Sequence, residues 1–495
     1  MKTILFTLAL SIFVDLQAQD LVLKAEEKII TNHSITIKGK NISYTAITGL
    51  QPVWNSDGKA VATLHYTYYE RAGIKNKGRR PLFISFNGGP GSGSVWMHLA
   101  YTGPKILNID KEGFPIQPYG VKDNPNSIID VADIVYINPV NTGYSRILDK
   151  ETDRDYFFGV VSDITYLANW INTFVTRCNR WDSPKYLIGE SYGTTRVSGL
   201  AHELQNTQWM YLNGVILVSP TELGIHTNIG RRSGTLGGSL KLPYFTAAAW
   251  YHGKLSKELQ AMDLDEILPK VEEIAINKLM PILAKGGFAT VQEKESAAST
   301  IAAYSGISIN KILQYNLDVP TKFYWKELLR DDGFTIGRLD SRYKGIDKNT
   351  GGDSPDFNSE LTSWLHAFTP AVNYYYKNVL NYHTDVKYNM FGPVHPWDRT
   401  KNNTGERLRM AMAQNPFLHT MIQSGIYDGA TRYFDAKYTM WQIDPSGKMK
   451  DRFSFKTYRS GHMMYLRNED LVKSNDDIRE FIKITLPPVD LPAKY

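Results

Sequence analysis

The chain has 495 residues, 42% hydrophobic and 21% charged, and its 56 basic and 50 acidic side chains leave a net charge of +6. These ordinary globular values exclude a collagenous, coiled-coil or largely disordered chain, and so dilute a charge does not argue for a nucleic-acid partner. The single cysteine, Cys178, excludes intramolecular disulfides and any cysteine-based zinc cage.

Met1 and Lys2 open a short basic region, residues 4–14 are apolar, and Leu16-Gln17-Ala18 ends in a small residue. An apolar run of about 11 residues falls well short of the ~20 needed to span a bilayer. The pattern therefore predicts a secretory signal peptide over residues 1–18 and no stable membrane insertion. An exported chain without disulfides, periplasmic or secreted, points to a bacterial periplasm more than to a eukaryotic route.

Residues 35–70 alternate strand-like segments with turn signals such as Asn55-Ser56-Asp57-Gly58, which predicts an antiparallel meander. PLFISF at 81–86 reads as a buried strand that stops at the glycine-rich loop 87–94 (NGGPGSGS). Strands at 131–137, 186–189 and 214–218 then alternate with helices at 156–174 and 194–206. That rhythm predicts an α/β class with a mainly parallel sheet. It breaks between 224 and 405, where 255–285 and 289–331 have helical periodicity, and returns in strands at 417–423 and 452–457.

Gly189-Glu190-Ser191-Tyr192-Gly193 matches G-x-S-x-G between a predicted strand and a predicted helix. In that context the glycines permit a tight turn that projects the serine hydroxyl from the carboxyl edge of the sheet, as in an α/β-hydrolase. A serine becomes a nucleophile when a histidine takes its proton and a carboxylate orients the histidine. In α/β-hydrolases these partners follow the serine in the order acid, then histidine. Asp428, after the strand at 417–423, and His462, after the strand at 452–457, fit that order. Asp435, Asp444 and His419 stand nearby as other candidates, although His419 falls inside an apolar strand and reads as a core histidine. Two backbone N–H groups must face the developing oxyanion; Tyr192 supplies one and Gly89 in the glycine-rich loop is placed to supply the other. The loop also suggests a phosphate cradle, but G-x-x-x-x-G-K-[ST] is absent and Pro90 removes a donor. His383 and His395 are isolated from ligand-spaced carboxylates, so no metal and no cofactor is expected.

Taken in order, NGGPGSGS, NPVNTGYS at 138–145, GESYGTTR at 189–196, GIYDGAT at 425–431 and SGHMMY at 460–465 resemble the serine carboxypeptidase family, the carboxypeptidase Y-like peptidases. The resemblance implies an α/β-hydrolase fold with an inserted helical cap. Its expected divisions are a signal peptide at 1–18, hydrolase core at 19–223, mostly helical cap at 224–405 and hydrolase core again at 406–495. It also implies cleavage of C-terminal residues from peptides with a free C-terminus. Ser191, Asp428 and His462 match the family's triad, Gly89 and Tyr192 its oxyanion hole, and Asn87, Gly88 and Glu190 the residues that hold the substrate's terminal carboxylate.

Two departures stand out. Family members pair the acid of GESYG with a second Glu two residues before a Gly-Pro; here Gly103-Pro104 is preceded at that place by Tyr101, and the disulfides of many members are impossible. Carboxylate recognition and an acidic optimum therefore stay open, with His98 and Lys105 as candidate cationic helpers, and with Glu190 as either a ligand group or a buried structural one. Tyr374-Tyr375-Tyr376 and Phe323-Tyr324-Trp325 are read as core or as the lining of an apolar pocket. An esterase or acyltransferase on the same triad, or an inactive binding protein, remains the alternative. Oligomeric state is not legible.

Overall fold

The computed structural model describes residues 21–225 and 234–486. The expected signal peptide lies outside the described residues, and no described helix is long and apolar enough to cross a membrane.

The predicted meander forms three antiparallel strands, β1 (Glu27–Ile37), β2 (Lys40–Trp54) and β3 (Ala60–Arg71). Six further strands complete the main path of the sheet. They are β4 (Leu82–Phe86), β5 (Asp133–Ile137), β6 (Lys185–Glu190), β7 (Gly214–Val218), β8 (His419–Gly425) and β9 (Phe453–Tyr458). The order is β1-β2-β3-β5-β4-β6-β7-β8-β9, and Arg146–Ile147 pairs with β3 off this path. From β5 to β9 every pairing is parallel. This is the predicted α/β arrangement, with the meander as an antiparallel extension at one side.

The near-continuous apolar runs are explained by burial on both faces, the condition under which a parallel sheet loses its alternation. Along β4, Phe83 enters one core while Leu82, Ile84 and Phe86 enter the other; along β6, Tyr186 and Ile188 are separated from Leu187 in the same way. Two helices, α2 (Val160–Arg177) and α3 (Tyr192–Thr207), cover the second face. The first is covered by α1 (Val95–Ala100), α4 (Ser359–Tyr374) and α5 (Asn468–Thr485).

Between β7 and β8 the described chain is mostly helical, including Leu242–Tyr251, Leu264–Ile274 and Val291–Ser305. This excursion has an apolar core of its own, in which Phe323, Tyr324 and Trp325 are buried. It joins the sheet domain through Leu240, Ala247, Leu264 and Leu268, which pack on Ile426, Tyr427, Tyr433 and Phe434 beyond β8.

Register decides what meets at the carboxyl edge. Phe86 stands opposite Gly189, Glu190 opposite Val218, Val218 opposite Gln423, and Gly425 opposite Tyr458. The loops that follow β4, β6, β7, β8 and β9 therefore emerge at the same end of the sheet, where open α/β sheets place their ligands.

Candidate active site

The turn after β6 is sharper than the sequence suggests. The helix begins at Tyr192 and not near Thr194, with Ser191 at its N-cap, so nothing separates strand from helix except the serine. Ser191 has φ +58°, in the left-handed region that a side chain rarely adopts. Its N–H donates to Val218 O at 2.9 Å, which fixes the turn to the neighbouring strand. A Cβ on Gly189 would fall on the Gly193 carbonyl, and one on Gly193 would lie 2.9 Å from Phe86 O, so both motif glycines are required by close approach.

The loop after β4 lies directly on this turn. A Cβ on Gly88 would be 2.5 Å from the Tyr192 nitrogen and 2.9 Å from Ser191 Cβ. Gly89 has φ +103°, a conformation natural to glycine. The loop is held from below by Arg196, on α3, whose Nη1 donates to Asn87 O at 2.7 Å and whose Nε donates to Asp163 at 2.7 Å. Both members of that ion pair are fully buried. Gly89 and Tyr192, the expected oxyanion donors, are thus brought together beside Ser191.

His462 and Asp428 arrive from the loops after β9 and β8. His462 Nδ1 lies 2.6 Å from Asp428 Oδ2. Asp428 is fully buried, and its Oδ1 accepts from the N–H groups of Ala430 at 2.7 Å and Thr431 at 3.1 Å. The Thr431 hydroxyl, 2.7 Å from Asp428 Oδ2 and 2.9 Å from Ser219 O, braces the pair. Ser219 Oγ in turn donates to His462 O at 2.7 Å. The two loops touch because residue 425 is glycine: a Cβ there would fall on the Gly461 carbonyl. Burial pulls the His462 imidazole toward neutrality, but the adjoining Asp428 carboxylate and Glu190 outweigh it, and the net shift is upward. His419, by contrast, opens β8 half-buried at the end of the strand away from Asp428.

Ser191, His462, Glu190, Asn87, Gly88 and Gly89 line one cavity of about 220 Å³. Glu190 is buried at its floor, where Oε2 accepts from Asn87 Nδ2 at 3.0 Å and from the Tyr465 hydroxyl. Burial is the main reason its carboxyl is pushed up to about 7; His462, Tyr465 and Asn87 pull the other way. Because both partners use Oε2, Oε1 is the oxygen left for a ligand. The hydrogen bonds at Oε2 give Glu190 a structural role.

Tyr101 stands behind this group rather than beside it. It stacks on Tyr465 with centroids 4.6 Å apart and donates to Gln423 Oε1 at 2.7 Å. It thereby fixes the phenol that caps Glu190, in a place where the family resemblance implies a second carboxyl.

Other expectations are corrected. His98 is not a cationic helper: it is fully buried, 2.6 Å from Tyr69 Oη, and burial lowers its pKa to about 3, which keeps it neutral. Lys105 is paired with Asp123 on a small hairpin away from the cavity. Tyr375 and Tyr376 pack in the sheet core with Tyr69 and His98, while Tyr374 is exposed. The aromatic lining comes from Trp96, Trp364 and Phe391, which the sequence did not single out. Nor did it single out Thr431, Tyr465, Arg196 or Arg338, although the first three lie inside or beside the quoted motifs.

A serine on a strained strand-to-helix turn, a histidine–aspartate pair on the loops of two later strands, and a parallel sheet beneath them define an α/β-hydrolase fold. Within residues 39–261 the chain carries the pattern of the serine carboxypeptidase family, whose model matches that stretch. Two Arabidopsis thaliana relatives are similar over shorter segments. Serine carboxypeptidase-like 20 is 29% identical over 142 residues, 28% of this chain and 27% of the relative. Serine carboxypeptidase-like 36 is 27% identical over 170 residues, 32% of this chain and 31% of the relative. The matched stretches thus span less than a third of each curated relative. The crystal structure of a prohormone-processing carboxypeptidase from Saccharomyces cerevisiae shares the fold, with a TM-score of 0.50 at 14% identity over 89% of this chain and 91% of that one. Ser191 and the loop at 87–89 fall inside the family match; Asp428 and His462 lie beyond it. The curated relatives are plant proteins and lend no support to a bacterial source.

Proposed function

We propose that the chain is an exported serine carboxypeptidase that removes C-terminal residues from peptides through an acyl-enzyme on Ser191. The observation that carries this reading is the His462–Asp428 pair, 2.6 Å apart, with His462 lining the same cavity as Ser191. Ser191 Oγ attacks the carbonyl carbon of the last peptide bond while His462 accepts its proton through Nε2. Asp428 holds the imidazole in that tautomer and stabilises the imidazolium. The N–H groups of Gly89 and Tyr192 stabilise the tetrahedral oxyanion. Collapse of this intermediate breaks the C–N bond, and His462 returns the proton to the departing amine. Water then attacks the acyl ester with His462 again as base, releasing the shortened peptide and restoring the serine.

Asn87, Gly88 and Glu190 sit on the leaving-group side and receive the terminal carboxylate. Trp96, Leu361, Trp364, Phe391 and Met463 give the cavity an apolar wall suited to an apolar side chain. The largely helical stretch at 224–405 serves as a cap over this edge of the sheet. Its packing on the Asp428 loop and its contribution of Leu361 and Trp364 to the cavity support that role.

The test is Ser191→Ala together with covalent labelling of the wild type by a fluorophosphonate. Labelling at Ser191, and a fall of several orders of magnitude in amino-acid release on substitution, are expected; undiminished release would refute the assignment. Equal cleavage of free-acid and amidated peptides would argue against carboxylate recognition, whereas turnover of esters with transfer to alcohols and no peptide cleavage would identify an esterase or acyltransferase on the same triad instead.

A further inference from the structure

Among the described residues, most buried cations are matched by nearby anions. Arg180 is paired with Asp133, Arg196 with Asp163, Arg342 with Asp340 and Arg479 with Asp130. Arg338 differs. It lines the Ser191 cavity, half-buried, and among the described residues its guanidinium has no hydrogen-bond or ion-pair partner.

The backbone that carries it is held by both loops of the candidate triad. Gly429, next to Asp428, donates to Arg338 O at 3.0 Å, and His462 N donates to Leu339 O at 2.6 Å. The Leu339 N–H donates to Glu360 Oε1 at 2.7 Å, and Ser341 N–H to Tyr427 O at 3.0 Å. The Arg338 backbone is therefore fixed in position relative to the loops that carry His462 and Asp428. Its charge is felt at His462, where it opposes protonation.

Among the described residues no carboxylate comes within ion-pair distance of this guanidinium, although the Glu360 carboxyl feels its charge, and a carboxylate ligand matches its forked donors. In the same cavity Glu190 has Oε1 left over, and in its protonated form, which burial favours, it donates a hydrogen bond and does not repel an anion. The place of the second carboxyl implied by the family resemblance is taken by Tyr101, which faces Tyr465 and cannot reach the cavity. We infer that Arg338 supplies the missing half of carboxylate recognition: it forms an ion pair with the free C-terminal carboxylate of a peptide whose last bond lies at Ser191. This rests on the peptidase reading for the position of the peptide. It replaces one of two carboxyl–carboxylate hydrogen bonds with an ion pair, which needs no proton, and leaves the Glu190 carboxyl as the half that does.

The test measures binding apart from turnover. In a Ser191→Ala background, calorimetry compares acetyl-phenylalanyl-leucine with its C-terminal amide, for Arg338, Arg338→Gln and Arg338→Lys. With Arg338 present the free acid should bind about 10- to 100-fold more tightly than the amide, the scale of a charge-assisted pair. Arg338→Gln should abolish that preference, and Arg338→Lys should restore part of it, which a purely structural role for the side chain does not predict. Thermal denaturation of each variant shows that it is folded. No preference in the parent, or a full preference retained in Arg338→Gln, would overturn the inference. So would an amidated peptide ending in glutamate that binds as tightly as the free acid in an Arg338-dependent way, since the ion pair would then belong to a side chain. An Arg338-dependent preference without peptide turnover by the wild type would refute the peptidase reading and leave the carboxylate site standing; turnover without that dependence would do the reverse.

Discussion

Replacing Glu190 by glutamine isolates one titration from everything else at the site. Glutamine keeps the shape of the side chain and an oxygen for Asn87 Nδ2 and the Tyr465 hydroxyl, but it cannot ionise. In the folded wild type the carboxyl is pushed from its usual 4.5 up to about 7, chiefly by burial. The folded state therefore binds this proton more tightly than the unfolded chain does. The associated stability is fully present below about pH 4.5, is lost as pH rises, and is gone above about pH 7, a total of roughly 3 kcal/mol. Glu190→Gln removes that slope. Urea unfolding of both proteins between about pH 4.5 and pH 8 should show the variant gaining roughly 3 kcal/mol on the wild type across the range. In parallel, the wild type should lose kcat/KM on a free-acid peptide as pH passes about 7, because the ionised carboxyl repels the substrate's anion, whereas the variant should not. A difference in unfolding free energy that is flat with pH, or that grows toward acid, would refute the reasoning. It would mean that the carboxyl is ionised throughout, held as the partner of a protonated His462.

Thr431→Val removes the hydroxyl that braces Asp428 Oδ2 and should lower kcat on peptides about 10-fold with little change in KM, the scale of one hydrogen bond to a charged group. Arg196→Ala leaves Asp163 buried without its cation and should cost about 3–5 kcal/mol in urea unfolding. Activity should fall with it, since Arg196 also holds the Asn87 carbonyl. Gly425→Ala drives a methyl into the Gly461 carbonyl and should separate the loops that carry Asp428 and His462. Loss of peptide turnover with fluorophosphonate labelling of Ser191 strongly slowed is the expected signature.

The local patterns of the hydrolase core were legible because each has a physical cause that acts over a few residues. A continuous apolar run marks a strand buried on both faces, and G-x-S-x-G marks a turn that only glycine can flank. The order serine, aspartate, histidine was readable for the same reason: Ser191 directly follows β6, and Asp428 and His462 stand on the loops that begin where β8 and β9 end. The helix start at Tyr192 was misplaced by two residues because the strain at Ser191 lets strand pass to helix without a loop. The aromatic runs between β7 and β8 gave no guide to the cavity, since hydrophobicity alone does not distinguish Phe323 in a separate core from Phe391 at the cavity wall.

What the sequence determined by itself is the candidate chemistry: a serine on a strand-to-helix turn, an aspartate and a histidine on the loops after two later strands, and a glycine-rich loop after an earlier one. It also determined what is missing, any disulfide and, against the family resemblance, a second carboxyl at position 101; the lone Cys178 is a half-buried thiol pushed up to about 11 by desolvation. Only the tertiary structure decided what fills that gap. Tyr101 braces Tyr465 against Glu190, and Arg338, more than 140 residues from Ser191 in sequence, comes to the same cavity on a backbone clamped between the Asp428 and His462 loops. The reason is geometric. Which charge meets which depends on sheet register and on where a long insertion returns to the edge of the sheet, and neither leaves a local pattern in the chain.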